Sequence, residues 1–329
     1  RIASFAAAAM TLALTLAMGF DAPAVPPAPR GAHGGREAEP SGSGGAGREG
    51  SATERLLRSI ERSGGVVSVG LEPSYERLPG CFERDMGGLE RCLMSVVEGA
   101  FDGAAAFKAN LAFFEVFGSA GWSMLERVRG RIGGDAFFIA DAKRGDIGSS
   151  AERYAEALFG GLGSDAVTVN PLMGSDAVEP FLVWEDRLTY LLCLTSNPGS
   201  REFLLEGDLF VRIAERVRGY AGAGARGLVV GATADEGALG RLALVSEGLP
   251  LLIPGVGAQG GDAGRVSAAF GDLRSRGALV HSTRGVLPGA SSEAARDAGS
   301  YAAGVSRLVR SFSEAVSGGG SGGGSGGDR

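Results

Sequence analysis

The chain has 329 residues, of which 44% are hydrophobic, and its formal net charge at pH 7 is -6. A negative balance of this kind does not favour a general nucleic-acid-binding role. Only two histidines, His33 and His281, are present, so a multi-histidine metal site is excluded and proton transfer would fall to lysine or carboxylate. Three scattered cysteines without metal-like spacing indicate free thiols in a reducing compartment, which favours the cytoplasm.

Both ends of the chain have the composition of segments outside a folded domain. Residues 2–20 are mostly apolar and are followed by a stretch rich in Pro, Gly and Ser that reaches residue 50. We interpret residues 1–50 as a leader or transit-like segment followed by a disordered linker. A transit peptide in residues 1–30 would place the protein in an organelle instead. Residues 318–329 are a flexible Gly/Ser linker, so the foldable domain is expected at residues 51–317.

Eight short apolar runs inside that domain have the pattern of strands buried on both faces. In chain order they are VVSVGL (66–71), AAAFKA (104–109), AFFIAD (136–141), AVTVN (166–170), TYLLCL (189–194), GLVVGA (227–232), LLIPGV (251–256) and ALVHS (278–282). Amphipathic helical patterns fill the gaps, one further helix (ATERLLRSIERS) precedes the first strand, and a long one closes the domain. Strict alternation predicts a (β/α)8 barrel with an extra N-terminal helix; a doubly wound open sheet is the alternative.

The barrel prediction places the polar residues of these runs at one end. Active sites of such barrels lie at the carboxyl ends of the strands. The polar residues at those ends, from the first strand to the eighth, are Glu72; Lys108; Asp141 and Lys143; Asn170; Thr195 and Ser196; Thr233; the segment GVGAQGG (255–261); and Arg284. Glycines before a helix, together with an arginine in the next loop, indicate a phosphate site after the seventh and eighth strands.

The segment DAKRGDIGSS (141–150) contains four charged residues directly after the apolar part of a predicted strand. In an extended strand end, Asp141 and Lys143 would face the same side, and Asp146 follows three residues later. Alternating lysines and aspartates keep one another ionised, which suits a catalytic array. A solvated salt-bridge network and an Arg144-Gly145-Asp146 adhesion loop are the two other interpretations.

The same segment resembles the D-x-K-x-x-D signature of the orotidine 5′-monophosphate decarboxylase family. Seven more blocks resemble the bacterial-type branch of that family in order, namely VGLEPSYERLPG, FKANLAFFEVFG, TVNPLMGSDAVEPF, LTSNPGSREF, VVGAT, LLIPGVGAQGGD and HSTRGVL. The resemblance covers about residues 51–317. One departure is Glu72, which stands where the family usually has aspartate.

The resemblance implies a cofactor-free, metal-free decarboxylation of orotidine 5′-monophosphate to UMP, the last step of pyrimidine synthesis. It implies that Lys143 protonates C6 and that Lys108, Asp141 and Asp146 complete the charge array, with Asp146 contributed across a homodimer interface. For substrate binding it implies the following residues: Glu72 and Ser150 near the ribose, Ser196 at the pyrimidine, and Gly257, Gln259, Gly260 and Arg284 at the phosphate.

Two further expectations accompany the resemblance. Some family members carry an orotate phosphoribosyltransferase domain after the decarboxylase, and the Gly/Ser linker would suit such a fusion. A magnesium-dependent sugar-phosphate decarboxylase or synthase of the same superfamily remains the main alternative, because those enzymes share the D-x-K-x-x-D array. The adhesion module is the remote alternative, since it leaves Lys108 and Arg284 unexplained.

Overall fold

The structure is a computed structural model that describes residues 49–256 and 260–318. The predicted leader, almost all of the predicted C-terminal linker, and two of the predicted phosphate-binding residues, Gly257 and Gln259, lie outside the described residues. Eight parallel strands form a closed barrel in chain order, and β8 pairs with β1. The strands are β1 (Val67–Leu71), β2 (Ala106–Asn110), β3 (Phe137–Arg144), β4 (Ala166–Val169), β5 (Leu188–Leu194), β6 (Ala225–Val230), β7 (Leu251–Pro254) and β8 (Leu279–Ser282). The predicted barrel is therefore confirmed.

Helices alternate with these strands, as the sequence pattern predicts. They are α1 (Ala52–Ser63), α2 (Met86–Ala100), α3 (Ala112–Glu115), α4 (Gly118–Ile132), α5 (Gly148–Ala155), α6 (Ser175–Leu182), α7 (Ser200–Phe203), α8 (Leu209–Arg216), α9 (Glu236–Val245), α10 (Ala263–Phe270) and α11 (Ala298–Gly318). Among the described residues, no helix is long and apolar enough to cross a membrane.

The extra N-terminal helix α1 starts at a capping box. The Ser51 side chain accepts a hydrogen bond from the Glu54 backbone, and the Glu54 carboxylate accepts one from the Ser51 backbone. Arg55 of α1 reaches the start of β4, where its guanidinium forms a buried ion pair with Asp165 at 3.1 Å. Ser59 donates a hydrogen bond to the carbonyl of Ala105, directly before β2. These contacts attach α1 to the amino ends of the strands, opposite the predicted site.

Side chains fill the interior of the barrel below the predicted site. Tyr190 of β5 is fully buried, and its ring lies against Gly227 of β6. A Cβ atom at Gly227 would come within 2.7 Å of that ring, so the close approach needs glycine. The strands are nearly continuous runs of buried residues because helices cover their outer faces while these side chains occupy the inside.

The third strand differs most from its predicted bounds. It continues through Arg144, three residues beyond the apolar run, and its pairing with β4 is irregular between Ala140 and Arg144. Lys143 within it has φ = 48°, so the end of the strand is not extended as expected. The long C-terminal helix starts at Ala298, where the Asp297 side chain accepts a hydrogen bond from the Ser300 backbone and caps the helix.

Candidate active site

A cavity of about 520 Å³ opens at the carboxyl ends of the strands. It is lined by Glu72, Arg77, Lys108, Asn110, Phe113, Asp141, Lys143, Leu192, Thr195, Ser196, Asn197, Val229, Leu252, Pro254, Gly255, Val256, His281, Ser282, Thr283 and Arg284. Six of the predicted site residues are among them: Glu72, Lys108, Asp141, Lys143, Ser196 and Arg284. Its volume falls within the range of about 300–1,000 Å³ that is typical of small-molecule sites.

Asp141 is the centre of the charged cluster in this cavity. Its Oδ2 atom accepts a hydrogen bond from Lys108 Nζ at 2.5 Å, and its Oδ1 atom accepts one from Lys143 Nζ at 2.7 Å. The side chains of Lys108 and Asp141 are almost completely buried, whereas that of Lys143 is 49% exposed. Lys143 is therefore the member of the cluster that can reach a bound molecule.

Burial and the two lysines act on the pKa of Asp141 in opposite directions. Burial alone would raise it, because a low-dielectric interior disfavours the ionised carboxylate. The positive charges of Lys108 and Lys143, together with their hydrogen bonds, outweigh this effect and hold the pKa of Asp141 well below its usual range. Asp141 is therefore a permanently ionised carboxylate at neutral pH.

Thr168 of β4 holds the charged cluster in place. It was not among the residues predicted from the sequence. Its hydroxyl donates a hydrogen bond to Asp141 Oδ1 at 2.9 Å and accepts one from the Lys143 backbone, also at 2.9 Å. The second bond fixes Lys143 in a left-handed conformation that is unusual for a residue other than glycine. Backbone strain of this kind persists only where the surroundings impose it, and it is concentrated at functional sites. A lone threonine in the apolar run AVTVN was the available signal.

His281 of β8 is the second residue of the site that the sequence reading left without a role. It is buried and lies beside β1, where its Nδ1 atom is 3.2 Å from the carbonyl oxygen of Ser68. Burial, followed by the positive charge of Lys108, holds the pKa of His281 well below 6.5, although Asp141 opposes this shift. The imidazole is therefore neutral at physiological pH.

Three of the predicted substrate-binding residues, Glu72, Ser196 and Arg284, lie around the rim of the cavity. Glu72 pairs with Arg77, whose guanidinium is 3.4 Å from Glu72 Oε2 and also contacts the Glu72 carbonyl at 3.2 Å. Ser196 follows β5, and its carbonyl accepts a hydrogen bond from Thr233 at 3.0 Å. Arg284 begins a short 3-10 turn after β8 and is exposed at the cavity. These positions match the places that the barrel prediction gave them.

Gly260, the last predicted phosphate-binding residue, is exposed and has φ = 81°, a value that favours glycine. The next residue, Gly261, returns to the strand end through a backbone hydrogen bond to the Gly255 carbonyl at 3.0 Å. Helix α10 starts two residues later, at Ala263. The described part of this loop therefore combines a left-handed glycine with a helix start, an arrangement that suits an anion, and phosphate binding here stays a prediction.

Three predicted residues that the structure describes do not line the cavity of this chain: Gly260, Asp146 and Ser150. Asp146 lies in the loop after β3, where its side chain accepts a hydrogen bond from the Ile147 backbone at 2.8 Å. Ser150 is exposed on helix α5. Arg144, the first residue of the Arg-Gly-Asp tripeptide, forms an ion pair with Glu115 and lies 4.9 Å from the ring centroid of Tyr154. Its side chain is therefore engaged within the chain.

The described part of the chain also bears on metal binding. There, no group of three or more His, Cys, Asp or Glu side chains comes close enough together to hold a metal ion.

Comparison with known proteins identifies the family. The model of the "Orotidine 5'-phosphate decarboxylase / HUMPS family" matches residues 69–296. The chain belongs to this family. It is 41% identical over 243 residues to the orotidine 5′-phosphate decarboxylase of Roseiflexus castenholzii, and the match covers 71% of this chain and 88% of that one.

Solved structures agree with this assignment. The OMP decarboxylase of Leishmania donovani superposes with a TM-score of 0.69 at 30% identity, covering 82% of this chain and 98% of that one. The UMP synthase of the same organism superposes with a TM-score of 0.67 at 33% identity, covering 80% of this chain and 56% of that longer chain. The family predicted from the sequence motifs is thereby confirmed.

Proposed function

We propose that this member of the family is a carboxy-lyase that converts orotidine 5′-monophosphate to UMP, the last step of de novo pyrimidine synthesis, without a cofactor. One observation carries the proposal: an ionised aspartate lies between two lysines at the mouth of the barrel, and one of those lysines faces the cavity. Loss of carbon dioxide from C6 of the pyrimidine leaves a localised carbanion. A fixed ammonium group stabilises that charge and can then supply a proton.

Each charged residue has a distinct part in this mechanism. Lys143, half exposed in the cavity, protonates C6 after the carbon–carbon bond has broken. Asp141 holds the Lys143 ammonium in place through its 2.7 Å hydrogen bond. Lys108 offsets the charge of the buried Asp141 carboxylate from the other side, so that the carboxylate stays ionised when the substrate carboxylate approaches.

The rest of the nucleotide is bound away from the reacting carbon. We infer that Arg284 and the backbone at Gly260 bind the phosphate, together with Gly257 and Gln259, which lie outside the described residues. Glu72, oriented by Arg77, would contact the ribose, and Ser196 would contact the pyrimidine. Binding energy from the phosphate can then be used to order the charged cluster around C6.

The direct test is an ultraviolet assay of orotidine 5′-monophosphate decarboxylation with and without a chelator. The wild-type protein should be active and insensitive to the chelator, whereas Lys143→Ala should abolish turnover and still bind a UMP analogue. Near-normal turnover by that variant would contradict the proposed role of Lys143. Loss of wild-type turnover on chelation would instead support the magnesium-dependent sugar-phosphate enzymes as the alternative.

We also propose that two copies of the chain share each active site through Asp146. This carboxylate lies outside its own cavity, in a loop beside the one that follows β4; Gly145 packs against Asn170 there. Three large apolar side chains are about half exposed on these two loops: Ile147 at 46%, Leu172 at 56% and Met173 at 52%. Exposed apolar patches of this kind indicate an interaction surface.

A mixing experiment tests the shared site. Lys143→Ala and Asp146→Ala should each be inactive as homodimers. A mixed dimer would contain one site with both native residues, so refolding an equal mixture should restore about a quarter of wild-type activity if the dimer is two-fold symmetric. No recovery, with mixed dimers shown to form, would place Asp146 outside the partner's site.

Three predictions concern the location of the protein, its partners and a fused domain. A cytoplasmic location is supported by the three cysteines, all of which are free thiols; imaging of the tagged protein would test it against an organellar one. The net charge of -6 supports the absence of a nucleic-acid partner. Fusion to an orotate phosphoribosyltransferase domain stays a prediction that the mass of the native protein would test.

A further inference from the structure

His281 is a buried titratable side chain in the cavity that the proposed mechanism does not use. Its Nδ1 atom lies 3.2 Å from the Ser68 carbonyl oxygen and 3.3 Å from the Ser68 hydroxyl. A carbonyl oxygen can only accept a hydrogen bond, so Nδ1 carries the proton. The other ring nitrogen, Nε2, is then a hydrogen-bond acceptor.

Thr283, which also lines the cavity, places its hydroxyl within hydrogen-bond reach of that acceptor. The Thr283 hydroxyl lies 3.5 Å from His281 Nε2 and does not cap the 3-10 turn that begins at Arg284. Its position depends on Gly70 of β1, because a Cβ atom there would come within 2.0 Å of the Thr283 hydroxyl oxygen and 3.0 Å of the imidazole. The missing side chain at Gly70 therefore leaves room for this contact.

The charges around His281 preserve its acceptor. Lys108 on β2 and Lys143 on β3 disfavour a second positive charge, and Asp141 on β3 only partly opposes them. The contact from β1 is neutral, because it is made by the Ser68 carbonyl and hydroxyl. The imidazole thus keeps one protonated and one unprotonated nitrogen at neutral pH.

We propose that His281 is a positioning residue that takes the hydrogen bond of the Thr283 hydroxyl, so that Thr283 Oγ1 faces the cavity as an acceptor for a ribose hydroxyl. This inference rests on the proposed function, because it assumes a nucleotide in the cavity. Once the Thr283 proton is directed to His281, the hydroxyl oxygen offers only lone pairs. A phosphate dianion has no proton to donate to them, whereas ribose hydroxyls are donors.

Kinetics with four variants test this role. His281→Asn keeps a donor toward Ser68 but removes the Nε2 acceptor, Thr283→Val removes the hydroxyl, and Thr283→Ser keeps it. The first two should raise KM for orotidine 5′-monophosphate about five- to tenfold, as expected for one hydrogen bond, with kcat changed less than about twofold. Thr283→Ser should have the KM of the wild type. The double variant His281→Asn/Thr283→Val should have a KM no higher than that of Thr283→Val alone.

Deoxy substrates identify the hydroxyl that is recognised. The KM penalty of Thr283→Val should disappear with one of the two substrates 2′-deoxy- and 3′-deoxyorotidine 5′-monophosphate, the one that lacks the recognised hydroxyl, and persist with the other. An equal penalty with both substrates, an additive double variant, or a loss confined to kcat would overturn the inference. If the wild type does not turn over orotidine 5′-monophosphate at all, the proposed function fails.

The tautomer of His281 gives a readout that does not depend on activity. The full chain labelled with ¹⁵N-histidine contains only two imidazoles, and His33→Gln removes the other one. The spectrum should show His281 protonated on Nδ1 alone and unchanged between about pH 8 and pH 6.5. A proton on Nε2 would overturn the inference even if the enzyme is active.

Discussion

Replacing Thr168 with valine should both destabilise the protein and impair the site. The Thr168 side chain is only 1% exposed, and valine has nearly the same shape, so the substitution leaves no cavity at this buried position. It removes the hydrogen bond to the Asp141 carboxylate and leaves the Lys143 amide without its 2.9 Å partner. A hydrogen bond to a charged group contributes about 1.5–3 kcal/mol and a neutral one about 0.5–1.5 kcal/mol, so we expect a loss of about 2–4 kcal/mol.

Thermal unfolding monitored by circular dichroism measures that loss. At about 2–4 °C per kcal/mol for a domain of roughly 200 residues, Tm should fall by about 5–15 °C. Misplacement of Asp141 and Lys143 should also lower kcat by about 10-fold or more. Thr189→Val is a matched control, because Thr189 is equally buried on the neighbouring strand and its hydroxyl has no hydrogen-bond partner. It should leave Tm unchanged or slightly raised.

The comparison between the two valine variants can refute the reasoning. If Thr168→Val and Thr189→Val have the same Tm within about 2 °C, the Thr168 hydroxyl does not hold the cluster. If Thr168→Val unfolds early but keeps full kcat, its hydrogen bonds stabilise the fold without positioning the lysine.

Three further predictions concern other parts of the molecule. Gly231→Ala should raise KM for orotidine 5′-monophosphate, because the added Cβ atom would lie 2.7 Å from the backbone of Ser196. Gly240→Ala is the control: this helical position is exposed and has open space, so the variant should leave KM unchanged and raise stability by about 0.5–1 kcal/mol. Burial lowers the pKa of His281 in the folded state, so as pH falls the unfolded state binds a proton there before the folded state does. The stability that this residue contributes is therefore fully present above about pH 6.5 and is lost as pH falls below that value. Tm of the wild type should fall more steeply between pH 7 and pH 5 than Tm of His281→Asn. Leu172→Asp should weaken the proposed dimer and give more monomer in sedimentation experiments, because it places a charge among the exposed apolar side chains.

The barrel could be predicted from the sequence because its strands are buried on both faces. Each apolar run matched a strand of the structure with bounds shifted by at most three residues, and α1 has the predicted bounds. The end of β3 could not be predicted in this way. Its continuation to Arg144 depends on Thr168 and on a backbone hydrogen bond between Asn170 and Arg144, which are contacts between strands and not properties of the run itself.

The charged part of the site could also be predicted, for a topological reason. Parallel strands in a barrel end at the same rim, so a charge at the end of one apolar run must lie near a charge at the end of the next. Lys108 and Asp141 meet in this way across β2 and β3. Asp146 lies beyond the strand in a loop, and Ser150 lies in the helix that follows. The common rim of the strands does not determine where such side chains point. Their predicted roles therefore depend on a second copy of the chain or on the family resemblance.

Thr168 and His281 escaped prediction because they are uncharged polar residues inside strands, where a polar side chain is equally compatible with packing. Their partners are far away in sequence: Thr168 is 27 residues from Asp141, and His281 is 213 residues from Ser68. Barrel closure nevertheless constrains the second pair, because an eighth strand in a closed barrel must lie beside the first. Once eight strands are counted, a buried histidine on the last one must face either the interior or the helices, and its hydrogen-bond partner should be sought on β1 and β7. The partner is Ser68 of β1, and Gly70 on the same strand leaves room for Thr283.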